Sequence, residues 1–272
     1  MSARTRWERI RRVWVITGLL ATAVFVAWSL LAFRATAEAT AAMRSDARVV
    51  VATVNGVFDF TPTSQKARTP VGLVFFAGSM VDPVAYAPLM RAVAQAGYPA
   101  MLVPLPRRGA FGAANSAEVL HTTLSAMQDD ERVMRWLIGG HSKGAVVATR
   151  MVSQLAVLGA GNVAGLLLVG TTHPRDVDLS TLKWPVTKVV GTNDGIAPIK
   201  TVEAHGALLP ASTHWVRIEG GNHSQFGWYG FQPLDHFAGI SRQAQHEQLI
   251  QAVIDALRRS GEPSGQPRTA ER

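Results

Sequence analysis

The stretch from residue 133 to residue 159 constrains the possible folds of this chain more than any other part of the sequence. A continuous apolar run, VMRWLIGG at 133–140, leads through a glycine-rich turn into KGAVVATRMVSQLAVLG at 143–159. A strand that is buried on both faces has such a continuous apolar run, and an amphipathic helix repeats its apolar residues with a period near 3.6. The stretch therefore predicts a buried strand that turns directly into a helix.

The same alternation continues through the body of the chain, from about 48 to 258. Further strand-like runs occupy 48–54, 71–78, 98–106, 164–171, 186–192 and 213–220. Helix-like segments lie at about 83–97, 116–129, 198–208 and 240–258. This pattern predicts one α/β domain with a mostly parallel central sheet and helices on both faces. Only about 15 residues separate the strands at 164–171 and 186–192, so no cap domain is expected there.

The N-terminal region contains 21 residues without a charge, from Val13 to Phe33. A helix of this length, at ~1.5 Å per residue, spans a hydrocarbon layer of ~30 Å. The arginine-rich segment 1–12 is expected to stay in the cytoplasm, which predicts a single-pass anchor with the domain outside the cytoplasm. The alternative is a signal peptide that is cleaved near Ala35-Thr36-Ala37, which would release a secreted protein. Residues 34–47 are predicted to be a spacer.

Charge and composition exclude several classes of function. The formal charge is +8, but residues 1–12 carry +4 of it and residues 258–272 carry +2. A nucleic-acid face requires clustered Lys and Arg within the fold, so no nucleic-acid partner is expected. The absence of cysteine excludes disulfides, thiolate zinc sites and a cysteine nucleophile. The polar tail at 259–272 is predicted to be disordered.

Ser142 lies at the centre of the predicted strand–turn–helix junction, within the G-x-S-x-G pattern Gly140-His141-Ser142-Lys143-Gly144. Glycines are needed on either side because a Cβ there would collide with the neighbouring strand or helix. This context is the one that a nucleophilic serine at such an elbow requires, so Ser142 is the predicted nucleophile. The alternative is a structural serine in a glycine-rich turn.

A serine nucleophile needs a base, and the base needs an acid that orients it. In folds with this elbow, the acid and then the histidine follow the serine along the chain. Asp194 follows the strand at 186–192 and His223 follows the strand at 213–220, which places both at the sheet edge of Ser142. Asp194 could instead belong to an ordinary Asn-Asp-Gly turn. The reserve candidates are His236 as base and Asp176 or Asp178 as acid.

Two backbone N–H groups are expected to bind the oxyanion that forms during acyl transfer. One belongs to Lys143, and the other comes from the loop after the strand at 71–78, from either Ser79 or Met80. A lysine at a helix N-terminus is mildly unfavourable with respect to the helix dipole. The Lys143 side chain is therefore predicted to meet a carboxylate of the protein or an acidic group of the substrate.

Two loops contain candidates for substrate contacts. Phe226, Trp228 and Tyr229 follow the candidate base, and they either shape an apolar pocket or pack their loop onto the domain. Arg107 and Arg108, in the loop after another strand, either attract an anionic substrate or remain solvated surface residues.

The sequences around these residues resemble those of the α/β-hydrolase superfamily, across about 50–258. The segments GGHSKGA, GTNDG and EGGNHSQFGWYG are similar to those of a small cap-less bacterial group of carboxylesterase and dienelactone-hydrolase type. Ala145 departs from this pattern, since a third glycine is commoner there. The resemblance implies hydrolysis of a small-molecule carboxylic ester by Ser142, His223 and Asp194, without a metal or organic cofactor. The alternatives are acyl transfer, lactone or amide hydrolysis, or an extracytoplasmic binding protein without catalytic activity.

Overall fold

The computed structural model describes residues 3–64, 69–115 and 117–261. The α-helices are α1 (Ala3–Ala32), α2 (Ala37–Ala41), α3 (Ala87–Gln95), α4 (Ala117–Asp129), α5 (Lys143–Val157), α6 (Ile199–Ala204) and α7 (Arg242–Gly261). The strands are β1 (Val49–Val54), β2 (Val57–Pro62), β3 (Thr69–Phe76), β4 (Ala100–Val103), β5 (Val133–His141), β6 (Val163–Val169), β7 (Val186–Gly191) and β8 (His214–Ile218). Short 3-10 helices cover Pro83–Tyr86, Pro106–Asn115, Gly206–Leu208 and Ser224–Phe226.

The strands form one sheet in the order β1-β2-β4-β3-β5-β6-β7-β8. β2 runs antiparallel to β1 and β4, and the pairs from β4 to β8 are parallel. The predicted mostly parallel sheet is therefore confirmed. Since parallel strands end at the same edge, the loops after β3, β5, β7 and β8 meet there. The connection from β6 to β7, residues 170–185, lies wholly within the described residues and contains no helix.

The core is divided between the two faces of the sheet, as expected when helices cover both faces. Alternate residues of β5 belong to different clusters: Leu137 packs on one face, while Trp136 and Ile138 pack on the other. Side chains alternate in this way because a strand repeats every two residues. Helices α3 and α7 cover the first face, and α4 and α5 cover the second.

The strand β2 is not among the strands predicted from the sequence, although a local signal for it is present. β1 and β2 form a hairpin in which Val54 pairs with Val57 across Asn55 and Gly56. Both turn residues have positive φ, 51° for Asn55 and 80° for Gly56. Asn-Gly is the preferred pair for such a two-residue turn because both residues tolerate positive φ.

Several predicted boundaries also differ from the structure. The predicted helix at 83–97 begins as a 3-10 turn, whose Val84 N–H donates to Asp82 Oδ1 at 3.1 Å, before α3 starts. The segment predicted as a spacer contains α2, and Ala39 and Ala42 are buried. Helix α7 continues to Gly261, and the rest of the predicted tail lies outside the described residues.

Helix α1 is long and apolar enough to cross a membrane, a property that signal sequences share. Its C-terminal end is bound to the domain by backbone hydrogen bonds. The Gly230 N–H donates to the Ala32 carbonyl at 2.7 Å, and the Asp82 N–H donates to the Phe33 carbonyl at 2.9 Å. The Phe33 ring stacks on Tyr229 with 6.1 Å between centroids. The end of α1 is thus attached to the loops that follow β3 and β8.

Lys188 has an ionisable side chain, yet it occupies a core position in β7. Its side chain is 1% exposed, and Nζ donates a hydrogen bond to the His173 carbonyl. Burial lowers the pKa of Lys188 from its ordinary value of 10.5 to about 7. Desolvation disfavours the charged ammonium, so the folded protein holds Lys188 neutral at alkaline pH.

This burial predicts a pH-dependent difference between the wild type and Lys188→Met. Between pH 7 and pH 10.5 the unfolded chain keeps the Lys188 proton that the folded chain has released. The wild-type free energy of unfolding should therefore rise, relative to Lys188→Met, by ~1.4 kcal/mol per pH unit in that window. Below pH 7 the difference should be constant. Urea unfolding in mild detergent, followed by tryptophan fluorescence at several pH values, measures it, and a flat difference across the window would contradict the prediction.

Candidate active site

Ser142 occupies a strained turn between β5 and α5. Its φ and ψ are 54° and −117°, a conformation that L-residues other than glycine rarely adopt. The Ser142 N–H donates to the Val169 carbonyl of β6 at 2.9 Å, which ties the turn to the neighbouring strand. Such strain persists only where the surrounding structure holds it in place.

The two glycines of the pattern permit this turn because other backbone atoms occupy the positions of their missing side chains. A Cβ on Gly140 would lie 2.6 Å from the Gly144 oxygen and 2.8 Å from the Ala145 nitrogen. A Cβ on Gly144 would overlap the carbonyl of Phe76, at the end of β3. Ala145 is fully buried, so the turn accommodates its methyl group where the resembling sequences more often have glycine.

His223 and Asp194 form a buried hydrogen-bonded pair, with 2.8 Å between His223 Nδ1 and Asp194 Oδ2. The other oxygen, Asp194 Oδ1, accepts hydrogen bonds from the N–H groups of Ile196 at 2.9 Å and Ala197 at 2.6 Å. These bonds fix the carboxylate in the turn that follows β7. The Nε2 atom of His223 is buried without a hydrogen-bond partner in the described part of the chain. No other described group therefore occupies this nitrogen.

Ser142, Lys143 and His223 border the same pocket, which has a volume of about 270 Å³. His173 and Arg175, from the loop after β6, border it from the side opposite β3. The structure thus brings the predicted nucleophile, Ser142, and the predicted base, His223, to one pocket. Asp194 is hydrogen-bonded to His223.

The two candidates for the second oxyanion donor, Ser79 and Met80, differ in whether their backbone N–H is already hydrogen-bonded. The Met80 N–H donates to the Arg108 carbonyl at 2.7 Å. No hydrogen bond from the Ser79 N–H or the Lys143 N–H is found within the described residues. Of the two candidates, Ser79 is therefore the one with a free donor.

The sequence analysis gave no role to Asp235, which links the acid turn to the histidine loop. Its Oδ1 accepts from the N–H groups of Gly195 at 3.1 Å and His223 at 3.2 Å. Its Oδ2 accepts from the Ser224 N–H at 2.8 Å and from Ser224 Oγ at 2.6 Å. One buried carboxylate thus holds the backbone of both loops. No local pattern indicates this role, because the bonds join residues 11 to 40 positions apart.

Two buried side chains, those of His141 and Tyr86, lie next to His223 and form a second group that was not predicted from the sequence. The rings of His141 and His223 have centroids 4.4 Å apart, and His141 Nδ1 lies 2.7 Å from Tyr86 Oη. Tyr86 Oη accepts from the Gly78 N–H at 3.1 Å, so its own proton is available for His141. Burial, and then the proximity of His223, hold the pKa of His141 well below its ordinary value of 6.5. The neutral form of His141 is therefore favoured, and it adds no positive charge beside the His223 ring.

The three aromatic residues predicted to shape a substrate pocket are not among the residues that border the pocket of Ser142 and His223. Phe226 is fully buried with its centroid 5.4 Å from His141, and Tyr229 is buried against Phe33. Trp228 packs edge-on against His246 at 5.6 Å. Their large apolar surfaces attach the histidine loop to the domain, which was the alternative interpretation.

Among the described residues, the reserve candidates form no hydrogen bond or ion pair with Ser142, His223 or Asp194. The His236 side chain is exposed, Asp176 pairs with Arg150 at 3.2 Å, and Asp178 Oδ1 accepts from the Ser180 N–H at 2.8 Å. Lys143 has no ion-pair partner among the residues that the structure describes. The predicted protein carboxylate for Lys143 is thus absent there, and an acidic substrate group remains the other expectation.

The fold and the arrangement at the sheet edge are those of the α/β-hydrolase class. The model of the alpha/beta hydrolase family matches residues 72–247, and the chain belongs to this family. No curated protein sequence matches the chain significantly.

Solved esterase structures share the fold. One of two esterases from the fungus Rhizomucor miehei has a TM-score of 0.62 and 12% identity, over 87% of this chain and 90% of that chain. An esterase of Pyrobaculum calidifontis has a TM-score of 0.60 and 14% identity, over 80% and 87%. A bacterial heroin esterase has a TM-score of 0.60 and 17% identity, over 83% and 89%. At these identities the likeness establishes the fold.

The Asp235 bonds predict that this residue positions the base. Asp235→Ala should lower kcat for a soluble ester by at least about tenfold, because displacements of ~1 Å in a catalytic group reduce rates strongly. KM should change little, since Asp235 does not border the pocket. Asp235→Asn keeps one side-chain oxygen, which can still accept the hydrogen bonds from the Gly195 and His223 N–H groups. This variant should therefore retain more activity than the alanine variant. Asp129→Ala, at an exposed carboxylate, is the matched control, and steady-state kinetics within twofold of wild type for Asp235→Ala would refute the role.

Proposed function

We propose that the protein hydrolyses carboxylic esters through a Ser142-His223-Asp194 triad and an acyl-enzyme intermediate. The observation that carries the proposal is the buried pair of His223 and Asp194, with 2.8 Å between Nδ1 and Oδ2. The Nε2 atom of His223 has no hydrogen-bond partner among the described residues, and His223 borders the same pocket as Ser142. The likeness to esterase structures supports the same class of reaction.

In the proposed reaction, Ser142 Oγ attacks the ester carbonyl while His223 Nε2 accepts the hydroxyl proton. Asp194 holds Nδ1–H, which keeps Nε2 in the form that accepts a proton and stabilises the imidazolium that results. His223 then gives the proton to the leaving alcohol as the ester C–O bond breaks. A water molecule repeats these steps on the acyl-enzyme, which releases the carboxylic acid and restores Ser142.

The proposed oxyanion donors are the backbone N–H groups of Lys143 and Ser79. Lys143 starts α5 directly after the nucleophile, where its N–H is one of the first-turn donors without a partner in the helix. Ser79 lies after β3, the strand that pairs with β5 up to the register of Phe76 with Gly140. Donors fixed in this way need no rearrangement when the oxyanion forms, and each is typically worth ~3 kcal/mol.

The proposed location is the membrane, with α1 as a retained anchor and the domain outside the cytoplasm. The hydrogen bonds from Gly230 and Asp82 to the end of α1 support retention, because cleavage near Ala35-Thr36-Ala37 would remove these contacts and expose Tyr229. The arginines in 1–12 support the orientation.

The proposed nucleophile predicts that Ser142→Ala will abolish ester hydrolysis. Loss of a triad serine removes covalent catalysis, so kcat for p-nitrophenyl butyrate should fall by at least ~10³-fold. A fluorophosphonate probe should label the wild type at Ser142, located by mass mapping of the labelled peptide, and should not label the variant. Ser212→Ala, at an exposed serine, is the control. Unchanged hydrolysis by Ser142→Ala would contradict the mechanism, and a wild type that never reacts with the probe would favour the binding-protein alternative.

The Lys143 side chain is proposed to contact an acidic group of the substrate, because it borders the pocket with Arg175 and has no described carboxylate partner. Lys143→Met should lower kcat/KM for p-nitrophenyl hemisuccinate about three- to tenfold relative to p-nitrophenyl butyrate, as expected for a partly screened ion pair of ~1 kcal/mol. Turnover of the neutral ester should stay nearly intact, as it should for both esters in Lys200→Met. Equal losses on both esters would instead indicate a structural role for Lys143.

A further inference from the structure

We propose that the substrate is a long-chain acyl ester of an anionic membrane lipid, and that its acyl chain enters a pocket between the end of α1 and the loop after β3. This inference rests on the proposed ester hydrolysis and assigns a substrate class to the same catalytic site.

The pocket has a volume of about 530 Å³ and a largely apolar wall. Its apolar side chains are Leu30, Leu31, Phe33, Met80 and Ala110. These residues come from the last turns of α1, from the loop after β3 and from the 3-10 segment after β4. A pocket of this size and character accommodates an alkyl chain.

The wall of this pocket includes a residue next to one of the proposed catalytic groups. Met80 is the residue after Ser79, whose N–H is the proposed oxyanion donor. The hydrogen bond from the Met80 N–H to the Arg108 carbonyl at 2.7 Å joins the two loops that form this part of the wall. An ester whose carbonyl oxygen is bound by the Ser79 N–H therefore lies one residue along the chain from Met80 in the pocket wall, and its acyl chain is proposed to enter there.

The end of α1 sets the level of the pocket in a membrane. Besides the Gly230 and Asp82 bonds, the Thr36 N–H donates to the Trp228 carbonyl at 2.9 Å, so the domain is fixed to the end of the helix. The apolar segment Val13–Phe33 has the length of a ~30 Å hydrocarbon layer. Because its last turn walls the pocket, the pocket lies at the boundary between acyl chains and headgroups. A lipid can then reach it without leaving the membrane.

Charges at the rim of this pocket favour an anionic lipid. Arg34 and Arg107 are exposed, and Arg108 is half-exposed. Asp82 pairs with Arg108 at 3.3 Å and neutralises one of these three charges. Guanidinium groups bind phosphate oxygens through paired N–H donors, and basic residues next to a span are attracted to anionic lipids.

An exposed apolar patch lies on the same edge of the sheet. The side chains of Leu234 and Phe237 are 86% and 83% exposed. They flank Asp235, whose bonds to Gly195 and His223 place this loop beside the proposed catalytic pair. On a domain that is attached to a membrane helix, exposed apolar side chains are expected to insert into the interface when they face it.

The chemistry of the proposed step is that of the proposed function. Ser142 Oγ forms a bond to the acyl carbon, the bond from that carbon to the glycerol oxygen breaks, and His223 transfers the serine proton to that oxygen. Water then cleaves the acyl-enzyme. The products are one fatty acid and one lysolipid for each water consumed.

The experiment uses the full chain reconstituted in two kinds of vesicle, palmitoyl-oleoyl phosphatidylglycerol and palmitoyl-oleoyl phosphatidylcholine. Fatty acid release is measured by mass spectrometry, and p-nitrophenyl butyrate hydrolysis is measured in parallel. The wild type should release fatty acid at least tenfold faster from the anionic vesicles. Arg107→Glu should reduce this preference at least fivefold, and Ala110→Trp, which fills the pocket, should reduce lipid hydrolysis at least tenfold relative to butyrate hydrolysis. The matched controls, Lys183→Glu and Met134→Trp at exposed positions near the opposite sheet edge, should retain the wild-type ratios.

The outcomes separate this inference from the proposed function. A wild type that hydrolyses p-nitrophenyl butyrate but releases no fatty acid from either vesicle overturns the inference and leaves ester hydrolysis standing. A wild type inactive on both overturns the proposed function. Equal rates on both vesicles overturn the anionic assignment, and an unchanged lipid-to-butyrate ratio in Ala110→Trp overturns the pocket assignment. If Ala110→Trp does not fold, Leu30→Trp fills the pocket from the side of α1 and provides the same measurement.

Discussion

The close contact between the start of α5 and the end of β3 is the constraint on which the candidate site depends. Gly144 lies directly against the Phe76 carbonyl, where a Cβ would overlap backbone atoms. This contact lets the chain pass from β5 into α5 within one residue, and that residue, Ser142, takes up the strained φ of 54°. The same contact brings the loop after β3 to the side of Ser142, so the proposed nucleophile and the proposed Ser79 donor share one edge of the sheet.

Two neighbouring side chains hold His223 in place. Asp194 holds one edge of the imidazole through the hydrogen bond to Nδ1 at 2.8 Å, and the His141 ring packs against it with 4.4 Å between centroids. Because burial keeps His141 neutral, the packing adds no charge of its own next to the base. The proposed base thus lies between a carboxylate that holds its Nδ1 atom and a neutral ring that packs against it.

A feature could be predicted from the sequence when the residues that determine it lie close together along the chain. The alternation of β5 and α5 and the order of Ser142, Asp194 and His223 depend on local periodicity and strand ends, which are visible along the chain. The role of Asp235 and the choice of Ser79 over Met80 depend on bonds between distant loops. No single stretch contains that information. The β2 strand is different, since its Asn55-Gly56 turn was a local signal that was overlooked.

The Asp235 carboxylate also has a consequence for how the protein loses its structure. Because one side chain accepts hydrogen bonds from N–H groups of both the turn after β7 and the loop after β8, a movement of Asp235 would leave donors in both segments without this acceptor. Local opening of the loop that contains Asp235 is therefore expected to loosen the turn of Asp194 as well, although more than 25 residues separate Gly195 from His223. An insertion that shifts Asp235 should likewise displace the proposed acid and the proposed base together.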